Sequence, residues 1–144
     1  MKAAFTLLLF VLSFGPIGVV SADYSSGLSA YNKGNYKVAF SEWLPLAEEG
    51  ISQAQYNLGG MYAKGYGVVT NDKDAVFWYK KAAEQAHPMA QYNLGLMYLI
   101  GAGVGQSFVE AKHWLYLSYE NGVDDAEILW NQYELWEYKF FPMY

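Results

Sequence analysis

Apolar positions along this chain fall into helix-spaced clusters that return at a fixed interval. Ala54, Leu58, Met61 and Tyr62 stand at i, i+4, i+7 and i+8, one face of an α-helix, and the set recurs thirty-six residues later at Ala90, Leu94, Met97 and Tyr98. A glycine-bearing loop follows each cluster, Lys64 to Asn71 and then Gly101 to Gly105. After each loop comes a second apolar face, first Ala75, Trp78, Tyr79, Ala82 and Ala83, then Ala111 and Trp114. The pattern predicts helix hairpins over about 52–86 and 88–122. Ala39 lies thirty-six residues before Ala75, which places a third, shorter hairpin over about 24–50. Helix ends are marked by the turn Lys33-Gly34-Asn35, by Gly50, by His87-Pro88 and by Asn121-Gly122. Ser52 with Gln55 and Ser107 with Glu110 read as capping boxes, and Asn71 as a cap ahead of acidic residues. Pro45 falls inside a helix and is expected to kink or shorten it.

A repeat of this length signals stacked units, each burying its apolar face on the next. The pattern starts a third time at Ala126 and then dissolves. Trp130 replaces Leu94, Asn131 replaces Gly95, and no further Gly-x-Gly arrives. Leu129, Tyr133, Trp136 and Phe140 then form a helical stripe, predicting a cap helix over about 124–140 that covers the exposed end of the stack. The expected fold is all-α: an α-solenoid of about three antiparallel helix hairpins with a C-terminal capping helix, in one domain over 23–144.

Gly59 and Gly95 sit inside helices, where glycine costs roughly 1 kcal/mol relative to alanine. Close helix contact within each hairpin accounts for them, with Ala75 or Ala111 expected opposite the glycine and Tyr62 and Trp78, or Tyr98 and Trp114, filling the space beside it.

The first 22 residues are expected to be a secretory signal peptide. Lys2, an apolar run from Phe5 to Val20 broken at Gly15-Pro16, and Val20-Ser21-Ala22 before a cleavage point ahead of Asp23 give that layout. The apolar core from Ala3 to Phe14 is shorter than the roughly 20 residues of a membrane span, so no stable span is expected after cleavage. The implied location is the periplasm or the exterior. There is no cysteine, hence no disulfide framework or thiolate metal site. Losing Lys2 leaves eight lysines against fourteen acidic residues, and arginine is absent. Nucleic acid, which needs a basic stripe, is excluded as a partner class.

The succession of Ala, Leu-Gly, Tyr, Gly-x-Gly-Val, an acidic residue, Ala, Trp-Tyr and Lys-Ala-Ala at this period resembles the Sel-one-like repeat, a relative of the tetratricopeptide repeat. Ala54 to Ala86 matches nearly throughout. Ala90 to Gly122 matches in its first helix and loop, but WLYLSYENG departs from the pattern, and Tyr24 to Gly50 resembles a shortened unit. The resemblance implies a right-handed stack of helix pairs acting as a non-catalytic adaptor that holds another protein, often at the bacterial envelope.

The wider repeat class lines its concave surface with first helices. That implication makes Tyr56, Asn57, Gly60 and Lys64, then Tyr92, Asn93, Leu96 and Ile100, the candidate partner-binding residues. For Asn57 and Asn93 a second reading is a buried amide bonding backbone between units. Leu96, Leu99 and Ile100 form either an exposed contact patch or a surface covered by the terminal helix. Trp130, Tyr138 and Phe141 lie off the main stripe of that helix, where they serve a partner, self-association or the cap.

No cofactor is expected. The Gly-x-Gly loops follow helices, not strands, so they read as turns rather than phosphate cradles. His87 and His113 are the only histidines. Even with Glu110 beside His113, the ligand count for a metal is not met. The S-x-x-K nucleophile pattern of β-lactam enzymes is absent, which leaves an envelope enzyme or binder of peptidoglycan-like or β-lactam substrates as the alternative class.

Overall fold

The computed structural model describes residues 23–137. The expected leader, the end of the expected cap helix, Tyr138 and Phe141 lie outside the described residues. Helices α1 (Tyr24–Asn32) and α2 (Tyr36–Glu48), α3 (Ser52–Lys64) and α4 (Asp72–Ala83), and α5 (Pro88–Ile100) and α6 (Phe108–Glu120) form three hairpins. They are followed by α7 (Asp125–Gln132) and a 3₁₀ turn at Leu135–Glu137, with no strand among the described residues. The fold is an all-α helical-repeat solenoid.

Asn71 caps α4 by accepting from the Lys73 and Asp74 amides, and Ser107 caps α6 by accepting from the Glu110 amide. The expected box at Ser52 is not one. Ile51 is the N-cap of α3 without a side-chain bond, and Gln55 is buried elsewhere. Helix α2 runs through Pro45 to Glu48. All three hairpins close alike: Gly50, Ala86 and Gly122 take positive φ (97°, 60° and 93°). In each, that residue's N–H and the next bond back to the helix, as with Ala86 to Ala83 and His87 to Ala82. This is the left-handed C-terminal cap, and only the middle unit makes it without glycine.

The core clusters cross unit boundaries. Ala39, Trp43 and Ala47 of the first hairpin pack with Ala54, Leu58 and Met61 of α3. Ala75, Tyr79, Ala82 and Ala83 then pack with Ala90, Leu94 and Met97 of α5. Each unit is thus completed by its successor. Within hairpins, the residue over each helix glycine differs from the expectation. A Cβ on Gly59 would lie 2.5 Å from the Tyr79 ring and one on Gly95 2.7 Å from Leu115 Cγ, so Tyr79 and Leu115, not Ala75 and Ala111, occupy the recess. Tyr62, Tyr98 and Trp78 are only half-buried. Gly27 plays the same part in the first hairpin, where a Cβ would run into the Trp43 indole.

Two further devices join the units. The second glycine of each loop, Gly67 or Gly103, has positive φ, and its Cβ position falls 2.6 or 2.3 Å from the backbone at Tyr36 or Asp72, the start of the preceding unit's second helix. Those loops are therefore inter-unit contacts, which only glycine can make at that separation. Gln55 and Gln91 are buried and donate to the Ala47 and Ala83 carbonyls (2.9 and 3.2 Å) while accepting from Gln85 and Asn121 (2.8 and 2.9 Å). Each position of this network returns thirty-six residues on, with Asn121 supplying the amide that Gln85 supplies in the preceding unit.

The cap is not one helix to residue 140. Helix α7 stops at Gln132, Glu134 takes φ 50°, and the chain bends so that Leu135 enters the core with Leu99, Ala111, Leu115 and Ala126. Of the expected stripe, Leu129 packs against this cluster, Tyr133 and Trp136 do not, and Phe140 lies outside the described residues. Tyr133 and Trp136 are exposed, and the buried apolar residues here are Ala126 and Leu135.

Candidate functional site

The first helices α1, α3 and α5 line a cleft of about 700 Å³. Its alignment follows from the glycine contacts. Gly27 and Gly59 occupy the same place on α1 and α3, so α1 runs thirty-two rather than thirty-six residues ahead of α3, the loop of the first hairpin being shorter. In that register Leu28 matches Gly60, Tyr31 matches Ala63, and Asn32 matches Lys64 and Ile100, all on the cleft wall except where Leu96 and Leu99 replace the first two pairs. Trp43 and Tyr79 reach the cleft from the second helices.

Of the residues expected here, the cleft takes Tyr56, Asn57, Gly60, Lys64, Asn93 and Ile100. It does not take Tyr92 or Leu96. Both pack instead on the cluster of Leu99, Leu115, Ala126 and Leu135. Their side of α5 faces α7, as the Tyr56 side of α3 faces α5, and leucine in place of Gly60 fills the gap that α3 leaves open. Leu99 is buried there too, so only Ile100 of the apolar trio stays exposed, at 65%. The asparagines bond tyrosine hydroxyls rather than backbone. Asn57 Nδ2 donates to Tyr24 Oη at 3.0 Å, and Asn93 bonds the Tyr79 hydroxyl. Leu28, Tyr31, Asn32, Trp43, Tyr79 and Met97 were not anticipated. The signal for the α1 residues was the Gly27–Trp43 pair, hidden by the shortened loop.

The cleft floor is aromatic and held from behind. Tyr24 stacks on Trp43 (centroids 5.7 Å apart), and Trp43 Nε1 donates to the Tyr24 carbonyl at 3.2 Å. Tyr56 lies 5.9 Å from Tyr79 and stacks on His87 at 4.6 Å. His87 Nδ1 accepts from the Ala90 amide as the cap of α5, while Nε2 faces Gln53 Oε1 at 3.1 Å, which assigns the proton to Nε2. Burial lowers the His87 pKa below its ordinary value and pushes Tyr79 up to about 12, so both are neutral at physiological pH. Lys64 lies 5.7 Å from the Tyr66 ring, and Lys64 and Asp72 are the charged members of the lining. Among the described residues no group of three or more His, Cys, Asp or Glu is placed to hold a metal. His113 packs edge-on against Trp114. No helix of the described residues is long and apolar enough to cross a membrane.

Stacked hairpins with a cleft along their first helices define the class of helical-repeat solenoids. The Sel1 repeat model matches residues 52–87 and 88–123, and the chain belongs to the Sel1 repeat family. Among solved structures it is similar to the Sel1 repeat protein from Oxalobacter formigenes, at 34% identity and TM-score 0.71 over 74% of this chain and 44% of that one. It is also similar to a protective antigen present in uropathogenic Escherichia coli strains and displaying an SLR fold, at 36% identity and TM-score 0.68 over 74% of this chain and 25% of that one. The chain therefore spans less than half the length of either. No match was found among curated proteins. Sel1 repeat proteins generally act as scaffolds for protein–protein interaction and are typically non-enzymatic.

Proposed function

We propose that this protein is an exported adaptor of the bacterial cell envelope that holds a segment of another envelope protein along the cleft of α1, α3 and α5. The observation that carries the reading is the cleft itself, drawn from all three hairpins and walled by Trp43, Tyr56 and Tyr79, which packing within and between the hairpins fixes in advance. Preorganised walls reduce the ordering cost of binding. Export is supported by the leader-like first 22 residues and by the position of Asp23. That residue caps α1 by accepting from the Ser25 amide, so cleavage before it would leave the fold whole.

The test is capture from envelope extract with photocrosslinkers placed at Ile100 and Lys64, followed by the variants Ile100→Asp and Lys64→Glu. The expected outcome is one crosslinked protein, lost in both variants while their thermal melts stay unchanged. Capture indifferent to both variants, or turnover of a cell-wall or β-lactam substrate by the pure protein, overturns the reading. Export is checked separately, by an N-terminus at Asp23 in the mature protein.

A further inference from the structure

Gly60 is a glycine that the fold does not require. It sits inside α3, where glycine is the least favourable helix residue after proline, and its φ is not in the left-handed region. Its neighbour Gly59 makes room for the Tyr79 ring, whereas a Cβ on Gly60 would meet only the Tyr79 hydroxyl oxygen, at 3.5 Å, an ordinary contact. The other first helices supply the comparison. In the register set by the glycine recesses, the sites of Gly60 and Ala63 carry Leu28 and Tyr31 on α1 and Leu96 and Leu99 on α5. On α5 those leucines pack on the cluster that joins it to α7. The middle helix alone holds two small residues there, and both line the cleft together with Met97 of α5. Neither a recess nor a turn accounts for the missing side chain at Gly60.

Given the adaptor reading above, we infer that Gly60 and Ala63 form the seat of one aliphatic side chain of the partner, about the size of leucine, and that Lys64 receives a carboxylate of the same segment. The size follows from α5, where leucines stand at both matching sites. Lys64 lies one turn beyond Gly60, rests 5.7 Å from the Tyr66 ring and makes no ion pair among the described residues. Asp72, the other charge of the lining, stands in the first turn of α4, where the helix dipole favours it. Four residues of helix rise about 6 Å. Two residues of extended chain span that distance with both side chains on one side, so the partner segment carries its aliphatic and acidic residues two apart. Asn57 and Asn93 line the same cleft, and their amides are groups that a peptide backbone can bond and an acyl chain cannot. The chain's own residues 1–22 and 138–144 contain no Asp or Glu. Charge complementarity to Lys64 therefore favours a segment of another protein over either of them.

The probes are two labelled, acetylated and amidated peptides, Ser-Asn-Ser-Leu-Ser-Glu-Ser-Asn and the same with leucine and glutamate exchanged, titrated by fluorescence anisotropy against the full chain. At least one order should bind saturably below millimolar concentration and weaken at least tenfold when its leucine becomes alanine. Gly60→Leu with Ala63→Leu in the protein should weaken it by a similar factor. Lys64→Glu should do the same, and a peptide with lysine for glutamate should recover binding to that variant. Gly60→Ala should raise Tm while weakening binding severalfold, since its Cβ fits and alanine suits the helix; this arm decides even if the double variant fails to fold. Four results overturn the inference: no saturable binding of either peptide at millimolar concentration, binding indifferent to the leucine or to the Lys64 charge swap, a lower Tm in Gly60→Ala, or binding that appears only once residues 138–144 are removed. The last would assign the seat to the chain's own terminus. A dimer by sedimentation that the double leucine variant dissociates would assign it to a second copy and equally overturn the inference. The adaptor reading fails separately. Crosslinked capture at Ile100 that persists in the double variant sinks the seat alone, whereas peptides that bind as expected with no protein captured leave the seat standing and sink the adaptor.

Discussion

Replacing Ala86 with glycine should stabilise the protein. The residue lies at φ 60°, in the turn that closes the middle hairpin, at the place where the flanking hairpins have Gly50 and Gly122. An L residue with a Cβ in the left-handed region is destabilised by roughly 1–2 kcal/mol. Glycine removes that strain but makes the unfolded chain more flexible, which gives back about 0.4–1 kcal/mol. Ala86 is exposed, so the change leaves no cavity. The bonds from Ala86 N to Ala83 O and from His87 N to Ala82 O involve only backbone and survive. The net expectation is a gain of about 0.5–1 kcal/mol, a rise in Tm of about 2–4 °C for a chain of this size. Calorimetry of Ala86→Gly measures it. The reciprocal variant Gly122→Ala should lose a similar amount, since nothing lies within 4 Å of the Cβ it would add. A lower Tm for Ala86→Gly, or no loss in Gly122→Ala, would refute the argument that backbone conformation alone distinguishes these sites.

Gly95→Leu should lower stability by a few kcal/mol, read by chemical denaturation, because its Cβ alone would lie 2.7 Å from Leu115 Cγ and 3.3 Å from Leu115 N. Gln91→Leu leaves the Ala83 carbonyl and the Asn121 amide without a bond they now make, and should cost about 1–3 kcal/mol by the same measurement. His87 gives the protein a pH dependence. Its folded pKa is lowered from 6.5, so as pH falls below that value the unfolded chain takes up the proton first. The contribution is complete above 6.5 and is lost as pH falls toward the lowered pKa, when protonation also removes the Nδ1 acceptor for the Ala90 amide. In His87→Asn, which keeps a capping oxygen, this part of the slope of denaturation midpoint against pH should vanish.

The hairpins, their boundaries and most of their caps were legible because burial and turn chemistry repeat with the sequence. What escaped was whatever side-chain reach decides. Helix spacing puts Ala75, Trp78 and Tyr79 on one apolar face, yet only the structure shows that Tyr79 rather than Ala75 fills the recess at Gly59. Gln55 looked like a capping partner because its spacing from Ser52 fits, but its amide reaches the end of the preceding hairpin, a contact no local pattern records. Within the cleft, position along α3 and α5 located Asn57, Lys64, Asn93 and Ile100. Tyr92 and Leu96 fall outside the cleft because the neighbours of the two units differ: α3 is followed by the hairpin of α5 and α6, and α5 by α7, on whose cluster both residues pack. The terminal stripe misled for a related reason. Periodicity presumes a continuous helix, and the positive φ at Glu134 ends it.

The three glycine recesses hold Trp43, Tyr79 and Leu115, one large side chain per hairpin and each of a different kind. Because the glycine makes room for the bulk, three hairpins of one design enclose unlike side chains, of which Trp43 and Tyr79 also edge the cleft while Leu115 is wholly buried. One frame thus accepts different fillings from unit to unit, tile by tile, with the glycine as the constant that permits the exchange.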